Sequence, residues 1–139
     1  MAYNVLIADD SATMRALVRK VLNISGLELG ECFEVANGLE ALEILEKNWV
    51  DLVLSDLHMP KMDGAALVKA LRQNQMWQTI PVVLITTEGR QEVLAPFFEY
   101  GIQGYIKKPF HPEDIKEQLQ KILGEAWVPH VRELEGCDF

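Results

Sequence analysis

Charged and hydroxyl side chains follow several apolar runs of the sequence, each at the point where the run ends. Asp9 and Asp10 follow the first run, Asp56 the third, Thr86 the fourth and Lys108 the last. If these runs are parallel strands, the groups meet at one edge of the sheet, where open α/β sheets bind ligands. The edge would then carry three carboxylates, one hydroxyl and one ammonium.

Three carboxylates brought together repel one another, so protonation or a bound cation must relieve the repulsion. Oxygen ligands without His or Cys select a hard ion, and Mg²⁺ suits a site that also admits water and a phosphoryl oxygen. The set therefore indicates metal-assisted phosphoryl transfer. Taken singly, each residue has another explanation: Asp10 or Ser11 could cap the first helix, Asp63 could cap the third, Thr86 could pack as a strand residue, and Lys108 could be a solvated turn residue.

The elements that must position these groups alternate between strand and helix patterns. Apolar runs predict buried strands at Val5–Ala8, Leu52–Asp56 and Val82–Ile85, with weaker strands at Leu29–Ala36 and Tyr105–Lys107. Apolar residues at helical spacing predict a helix after each strand. Five strands and five helices in strict alternation predict a doubly wound parallel α/β sheet with right-handed crossovers. Pro96 interrupts the fourth helical stripe, so we expect that helix to start late or to bend.

Length and composition favour one compact domain, since the chain has 139 residues of which 49% are hydrophobic. No run approaches the roughly 18 apolar residues of a membrane span, and Met1–Asn4 lacks the basic start of a signal peptide, so we expect a cytoplasmic protein. The net charge of −8 opposes nucleic-acid binding. Cys32 and Cys137 form neither a disulfide framework nor a metal cluster, and we expect both thiols to be reduced.

Four separated motifs resemble those of the receiver domain of two-component response regulators, especially the single-domain regulators of chemotaxis. The motifs are Ala8-Asp9-Asp10, Asp56-x-x-x-Pro60-x-Met62-Asp63-Gly64, Thr86 and Lys108-Pro109-Phe110. The resemblance implies a flavodoxin-like sheet with strand order 2-1-3-4-5. It also implies a receiver domain over residues 1–124 and a C-terminal extension over residues 125–139. The residue patterns by themselves indicate only the parallel α/β class.

The resemblance implies a role for each carboxylate of the site. Asp56 would be the phosphoacceptor that becomes an acyl phosphate. Mg²⁺, or Mn²⁺ in its place, would be held by Asp9, Asp10, Asp56 and the backbone carbonyl of His58. The peptide bond before Pro109 would be cis.

Further residues around the site take roles from the same resemblance. Lys108 and Thr86 would contact the phosphoryl group, and Tyr105 would turn inward on activation. Plain core packing of Tyr105 is an equal alternative. The side chains of His58 and Glu88 would tune the access of water to the site.

The predicted function is that of a response regulator without its own output domain. Asp56 would accept a phosphoryl group from a histidine kinase, and a surface of the fourth helix, last strand and fifth helix would then bind a downstream protein or a second copy of the chain. Such a protein is a switch rather than an enzyme, with only autocatalytic phosphorylation and dephosphorylation, and chemotaxis is one pathway open to it. A phosphorelay intermediate is an alternative. An aspartyl-nucleophile phosphatase is less consistent, because such enzymes place two aspartates two residues apart after the first strand, and a flavin carrier would need a phosphate cradle in its loops.

The C-terminal extension, residues 125–139, is too apolar for a free tail. Its apolar residues include Trp127, Val128, Val131 and Leu134. We expect it either to fold back onto the domain or to dock a partner or a second copy of the chain.

Overall fold

The computed structural model describes residues 2–123 and shows strands and helices in strict alternation. The strands are β1 (Tyr3–Ala8), β2 (Leu29–Val35), β3 (Leu52–Ser55), β4 (Val82–Thr86) and β5 (Gly104–Lys107). The helices are α1 (Ala12–Ile24), α2 (Gly38–Lys47), α3 (Gly64–Arg72), α4 (Gln91–Glu99) and α5 (Pro112–Leu123). All neighbouring strands pair in parallel in the order β2-β1-β3-β4-β5, which confirms the predicted class and order.

The extension over residues 125–139 lies outside the described residues, so both expectations for it stay predictions. Among residues 2–123, no helix has the length and apolar character needed to cross a membrane. Cys32 is a free, partly buried thiol of β2, and burial raises its pKa. Cys137, like the extension that contains it, lies outside the described part of the chain.

Alternate side chains of the central strands point to opposite faces, so each face of the sheet has its own apolar core. On one face, Leu6 and Ala8 of β1 belong to the core formed with α2, α3 and α4. On the other, Val5 and Ile7 belong to the core formed with α1 and α5. Each large aliphatic side chain buried in this way stabilises the fold by about 1.5–3 kcal/mol. The central strands therefore hold the residues that follow their carboxyl ends in fixed positions.

Two helices that border this edge begin at a capping side chain. Ser11 Oγ accepts a hydrogen bond from the backbone N–H of Met14 at 3.2 Å, and Asp63 Oδ1 accepts one from Ala66 at 2.9 Å. Ser11 therefore caps α1, so the alternative in which Asp10 caps it is wrong. The capping alternative for Asp63 is confirmed.

Helix α4 contains Pro96 and begins ahead of it, at Gln91, so the expectation of a late start is wrong. Because proline has no N–H, the carbonyl of Glu92, four residues earlier, loses its helical donor. Glu92 is exposed, so water can supply that hydrogen bond. Leu94 and Phe97 are buried on the inner side of the helix. The helix thus includes the proline and still packs against the sheet.

Candidate phosphoacceptor and metal site

Four strands bring the predicted site residues to the carboxyl edge of the sheet. Asp9 and Asp10 follow β1, Asp56 follows β3, Thr86 ends β4 and Lys108 follows β5. One carboxylate oxygen from each of the three aspartates lies within 4.8 Å of the other two. The edge therefore gathers groups that are up to 99 positions apart in the sequence.

Backbone hydrogen bonds continue past the strand ends and hold the site residues in register. The N–H of Asp56 donates to the carbonyl of Ala8 at 2.8 Å, and the N–H of Lys108 donates to that of Thr86 at 2.8 Å. The Lys108–Pro109 peptide bond is cis. The side chains of Asp56 and Lys108 therefore extend from backbone that is hydrogen-bonded to the neighbouring strand, not from a loose loop.

Lys108 is the ammonium that the structure places between carboxylates. Its Nζ lies 2.7 Å from Asp9 Oδ2 and 3.3 Å from Asp56 Oδ2, with 12% of the lysine side chain exposed. Burial alone would lower the pKa of Lys108, but the hydrogen bond to Asp9 and the charges of both carboxylates outweigh burial and raise that pKa above its usual value. Lys108 therefore stays charged at neutral pH. Because its side chain is largely buried on two carboxylates, the alternative of a solvated turn residue is wrong.

Backbone donors orient the two buried carboxylates. Asp56 Oδ1 accepts a hydrogen bond from the N–H of Leu57 at 2.7 Å, which leaves Oδ2 facing Lys108. Asp9 Oδ1 accepts one from the N–H of Ser11 at 2.9 Å, and its Oδ2 also faces Lys108. Each buried carboxylate therefore has one oxygen on the backbone and one on the ammonium.

The donor set of the cluster fits a hard divalent cation. Asp10 is exposed, so one side of the cluster is open to solvent. The three carboxylates and the Lys108 ammonium leave a formal charge of −2, which a divalent cation neutralises. The side-chain donors are oxygens only, as Mg²⁺ and Mn²⁺ prefer.

Gly64 allows the loop after β3 to pack against the site. A Cβ on Gly64 would lie 2.5 Å from the carbonyl oxygen of Asp56 and 2.9 Å from the Cα of Leu57. The N–H of Gly64 donates to the carbonyl of Leu57 at 2.9 Å. The Asp63-Gly64 pair of the sequence motif therefore has a structural role: Asp63 caps α3, and Gly64 admits the backbone that carries Asp56.

Thr86 and Tyr105 lie on the same face of the sheet. Thr86 is fully buried, and its Oγ1 accepts a hydrogen bond from the N–H of Glu88 at 3.2 Å. Tyr105 pairs in register with Leu84, two residues before Thr86, and packs against the core of that face. Its ring contacts Phe98 edge-on, with ring centroids 6.4 Å apart. In this conformation Tyr105 packs partly buried beside α4.

The loop after β4 holds Glu88 near the mouth of the site. The carboxylate of Glu88 is bound by two guanidinium nitrogens of Arg90, at 2.8 and 3.0 Å, and only 8% of the Glu88 side chain is exposed. These hydrogen bonds lower the pKa of Glu88 to about 2, and His58 adds a smaller effect of the same sign. His58 itself is exposed. The two residues expected to tune water access are therefore close enough to interact.

Sequence reasoning missed two arginines beside the site. Arg90 binds Glu88, and Arg15 donates from Nη1 to the backbone carbonyl of Asp9 at 2.7 Å. Arg15 lies four residues after Ser11, in the first turn of a helix that starts directly after a site loop. A long basic side chain in the first turn of such a helix can reach the site, so the position of Arg15 in the sequence was a signal of this contact.

Comparison with known proteins agrees with this geometry. Residues 5–120 match the response regulator receiver domain family. The chain is 36% identical over 120 residues to a chemotaxis protein CheY homolog of Campylobacter jejuni, which covers 86% of this chain and 91% of that protein. It is 38% identical over 120 residues to chemotaxis protein CheY1 of Helicobacter pylori, with 86% and 95% covered. The solved structure of chemotaxis response regulator CheY4 of Vibrio cholerae aligns with a TM-score of 0.79 at 34% identity, covering 88% of this chain and 100% of that one. The chain therefore belongs to the response regulator receiver domain family.

Proposed function

We propose that this protein is a single-domain response regulator in which Asp56 accepts a phosphoryl group from a phosphohistidine of a sensor kinase. The carrying observation is the cluster of Asp9, Asp10 and Asp56, with Lys108 bound to two of its members. Receiver domains in general bind Mg²⁺ at an acidic pocket, act between histidine kinases and downstream targets, and are switches rather than enzymes. The chain covers nearly the full length of two chemotaxis relatives, 91% and 95%, which supports a regulator of the same kind.

Geometry favours Asp56 over its neighbours as the nucleophile. Both oxygens of Asp9 are held by short hydrogen bonds, and Asp10 lies exposed on the rim. Asp56 Oδ1 is fixed by the backbone, while Oδ2 makes only the longer, 3.3 Å contact with Lys108. Oδ2 is therefore the oriented oxygen that an incoming phosphorus atom can reach with least competition.

In the proposed step, Oδ2 of Asp56 attacks phosphorus and a new O–P bond forms as the P–N bond of the donor breaks. The electron pair of that bond goes to the imidazole nitrogen of the donor, which then takes up a proton. The Lys108 ammonium then contacts the phosphoryl oxygens, because the carboxylate charge of Asp56 that it paired with is replaced by that of the phosphoryl group. A loose phosphoryl transition state requires little beyond such positioning and charge neutralisation.

Mg²⁺ would be held by Asp10, Asp56 and the backbone carbonyl of His58, with Asp9 acting mostly through water; Mn²⁺ would fit the same donors. Bound there, the ion would neutralise the phosphoryl oxygens and reduce their repulsion by the carboxylates. The protein supplies the oriented oxygens, since Leu57 and Ser11 fix Asp56 and Asp9 through their N–H groups.

Phosphorylation would change the face of the sheet that carries Thr86 and Tyr105. The Thr86 hydroxyl accepts one hydrogen bond and keeps a hydrogen that it can donate to a phosphoryl oxygen. Movement of Thr86 toward Asp56 would open space on that face, into which Tyr105 could turn from its contact with Phe98. The phosphoryl group need only bias an existing equilibrium by a few kcal/mol.

The output surface would be formed by α4, β5 and α5. A cavity of about 260 Å³ between β5 and α5 supports this choice. It is lined by Tyr105, Ile106, Lys107, Asp114, Glu117 and Gln118. The reader of this surface would be another protein or a second copy of the chain. The names of the Campylobacter and Helicobacter relatives favour chemotaxis as the pathway.

His58 and Glu88 would set how readily water attacks the acyl phosphate. His58 is exposed beside Asp56, and Glu88 is held at the mouth by Arg90. Their side chains would regulate access without binding the metal, because imidazole is a poor ligand for Mg²⁺.

The phosphoacceptor is tested by mass spectrometry of protein incubated with Mg²⁺ and acetyl phosphate. Wild-type protein should gain one phosphoryl mass, and Asp56→Asn should gain none. The matched control is Asp63→Asn, which keeps the helix cap because Asn caps as well as Asp, and it should behave like wild type. A phosphoryl gain in Asp56→Asn would show that Asp56 is not the acceptor.

The switch is tested by amide hydrogen exchange with and without phosphorylation. Exchange should change within residues 88–123, and Lys108→Ala should take up the phosphoryl group without that change. Changes confined to residues 39–47 would place the output elsewhere. A normal response in Lys108→Ala would show that Lys108 does not couple phosphorylation to the output.

A further inference from the structure

Arg15 connects helix α1 to the backbone of the acidic cluster. Its Nη1 donates to the carbonyl oxygen of Asp9 at 2.7 Å, and 19% of its side chain is exposed. That carbonyl belongs to the peptide that joins Asp9 to Asp10. A guanidinium bonded to this peptide restricts how the backbone between the two carboxylates can rotate.

The bond to Asp9 is the one that orients the guanidinium. Nε of Arg15 is buried and lies 3.4 Å from Glu34 Oε1, but it does not make a hydrogen bond there. Glu34 makes its short contact with Arg19 instead, at 2.7 Å between Oε2 and Nε. Glu34 therefore supplies a nearby countercharge to Arg15, while the directional bond of Arg15 goes to the site.

The charge of Arg15 acts against cation binding, whereas its geometry acts for it. A positive group beside the cluster repels a metal ion, although the carboxylate of Glu34 reduces that repulsion. A fixed Asp9–Asp10 peptide presents the Asp10 carboxylate in one place and lowers the ordering cost of binding. The two effects have opposite signs. The direction in which Mg²⁺ affinity changes when Arg15 is replaced therefore distinguishes them.

We propose that Arg15 is a positioning residue for the metal-holding carboxylates: through its bond to the Asp9 carbonyl it sets the backbone from which Asp10 projects. Glu34, which is itself bound by Arg19, supports Arg15 from the side of β2. This inference rests on the proposed Mg²⁺ site and names a residue that acts on it without touching the ion.

The test measures Mg²⁺ affinity by calorimetry, without any phosphodonor, in wild type, Arg15→Met and Arg15→Lys. Loss of an outer-shell partner typically weakens metal binding by 10–100-fold, so we expect about tenfold weaker binding in Arg15→Met. Arg15→Lys keeps one donor and should lie between the two. Thermal unfolding with EDTA present checks that each variant is folded. If Arg15→Met does not fold, the comparison is made between wild type and Arg15→Lys.

Arg19→Met is the matched control, because Arg19 contacts the same Glu34 and the carbonyl of Cys32 but is bonded to neither Asp9 nor Asp10 in the described chain. Its Mg²⁺ affinity should stay within about twofold of wild type, since the outer-shell effect requires contact with a ligand-bearing segment. An equal loss in Arg19→Met would assign the effect to the α1–β2 edge as a whole. Unchanged or tighter binding in Arg15→Met would overturn the proposal directly. Absence of Mg²⁺ binding in wild type would instead reject the proposed metal site, and this inference with it.

Discussion

Replacing Lys108 with alanine should destabilise the protein most strongly when no metal is present. The substitution removes the ammonium that lies 2.7 Å from Asp9 and 3.3 Å from Asp56. Removing one partner of a buried ion pair costs about 3–5 kcal/mol, because the remaining charge is left uncompensated. The neighbouring Asp10 is exposed, so water replaces part of the lost interaction, and we expect about 2–3 kcal/mol. This loss corresponds to a fall in Tm of roughly 10 °C in a domain of this size.

Mg²⁺ should recover more stability in Lys108→Ala than in wild type. In wild type the ammonium and the cation compete for Asp9 and Asp56. Without that competition the variant should bind Mg²⁺ more tightly, and each tenfold gain in affinity adds about 1.4 kcal/mol at saturating ion. With a tenfold gain, Mg²⁺ would narrow the difference of about 2–3 kcal/mol in stability between the two proteins by about half.

The difference in free energy of unfolding between wild type and Lys108→Ala should also depend on pH, in one direction. Burial alone would lower the folded pKa of Lys108, but the two carboxylates together outweigh burial and raise that pKa above its usual value of 10.5. Its contribution is then fully present below pH 10.5 and is lost as the pH rises through the higher folded value. The gap should be constant between about pH 7 and pH 10 and should narrow in more alkaline solution.

The assay is urea unfolding of wild type and Lys108→Ala, with EDTA and with saturating Mg²⁺. Lys107→Ala serves as the control, since Lys107 is exposed at the end of β5, and its free energy of unfolding should stay within about 0.5 kcal/mol of wild type. An equal Mg²⁺ increment in wild type and Lys108→Ala would refute the competition between ammonium and metal. A loss in Lys107→Ala as large as that in Lys108→Ala would refute the ion-pair explanation altogether.

Three further variants probe the loops around the site. Gly64→Ala should lower the free energy of unfolding by about 1–3 kcal/mol and slow phosphorylation by acetyl phosphate, because its Cβ would meet the Asp56 carbonyl at 2.5 Å; Gly89→Ala, whose Cβ would meet a flexible lysine side chain, should do neither. In an NMR titration, Glu88 should lose its charge at about pH 2, so any stability from its pair is present above pH 4.5 and is lost between there and pH 2. Arg90→Ala should return the Glu88 pKa toward 4.5, and an unchanged value would contradict the pairing.

Local patterns in the sequence determined the elements and the edge at which the site lies. Apolar runs at Val5–Ala8 and Val82–Ile85 are buried on both faces of the sheet, as a central parallel strand requires. Because parallel strands present their carboxyl ends at one edge, the residues after each run could be grouped before any distance was known. The strand order did not follow from these patterns, because periodicity within an element carries no information about its neighbours. That order came from the resemblance of the motifs.

Only the tertiary structure decided which groups touch. It pairs Lys108 with Asp9 more closely than with Asp56, leaves Asp10 exposed on the rim, and adds Arg15 and a bound Glu88 to the surroundings of the site. The lysine contacts join residues 99 and 52 positions apart. Contacts between residues so far apart depend on how the strands pair and on the path of each loop after its strand. A local sequence pattern specifies only which residues share a face within one helix or strand.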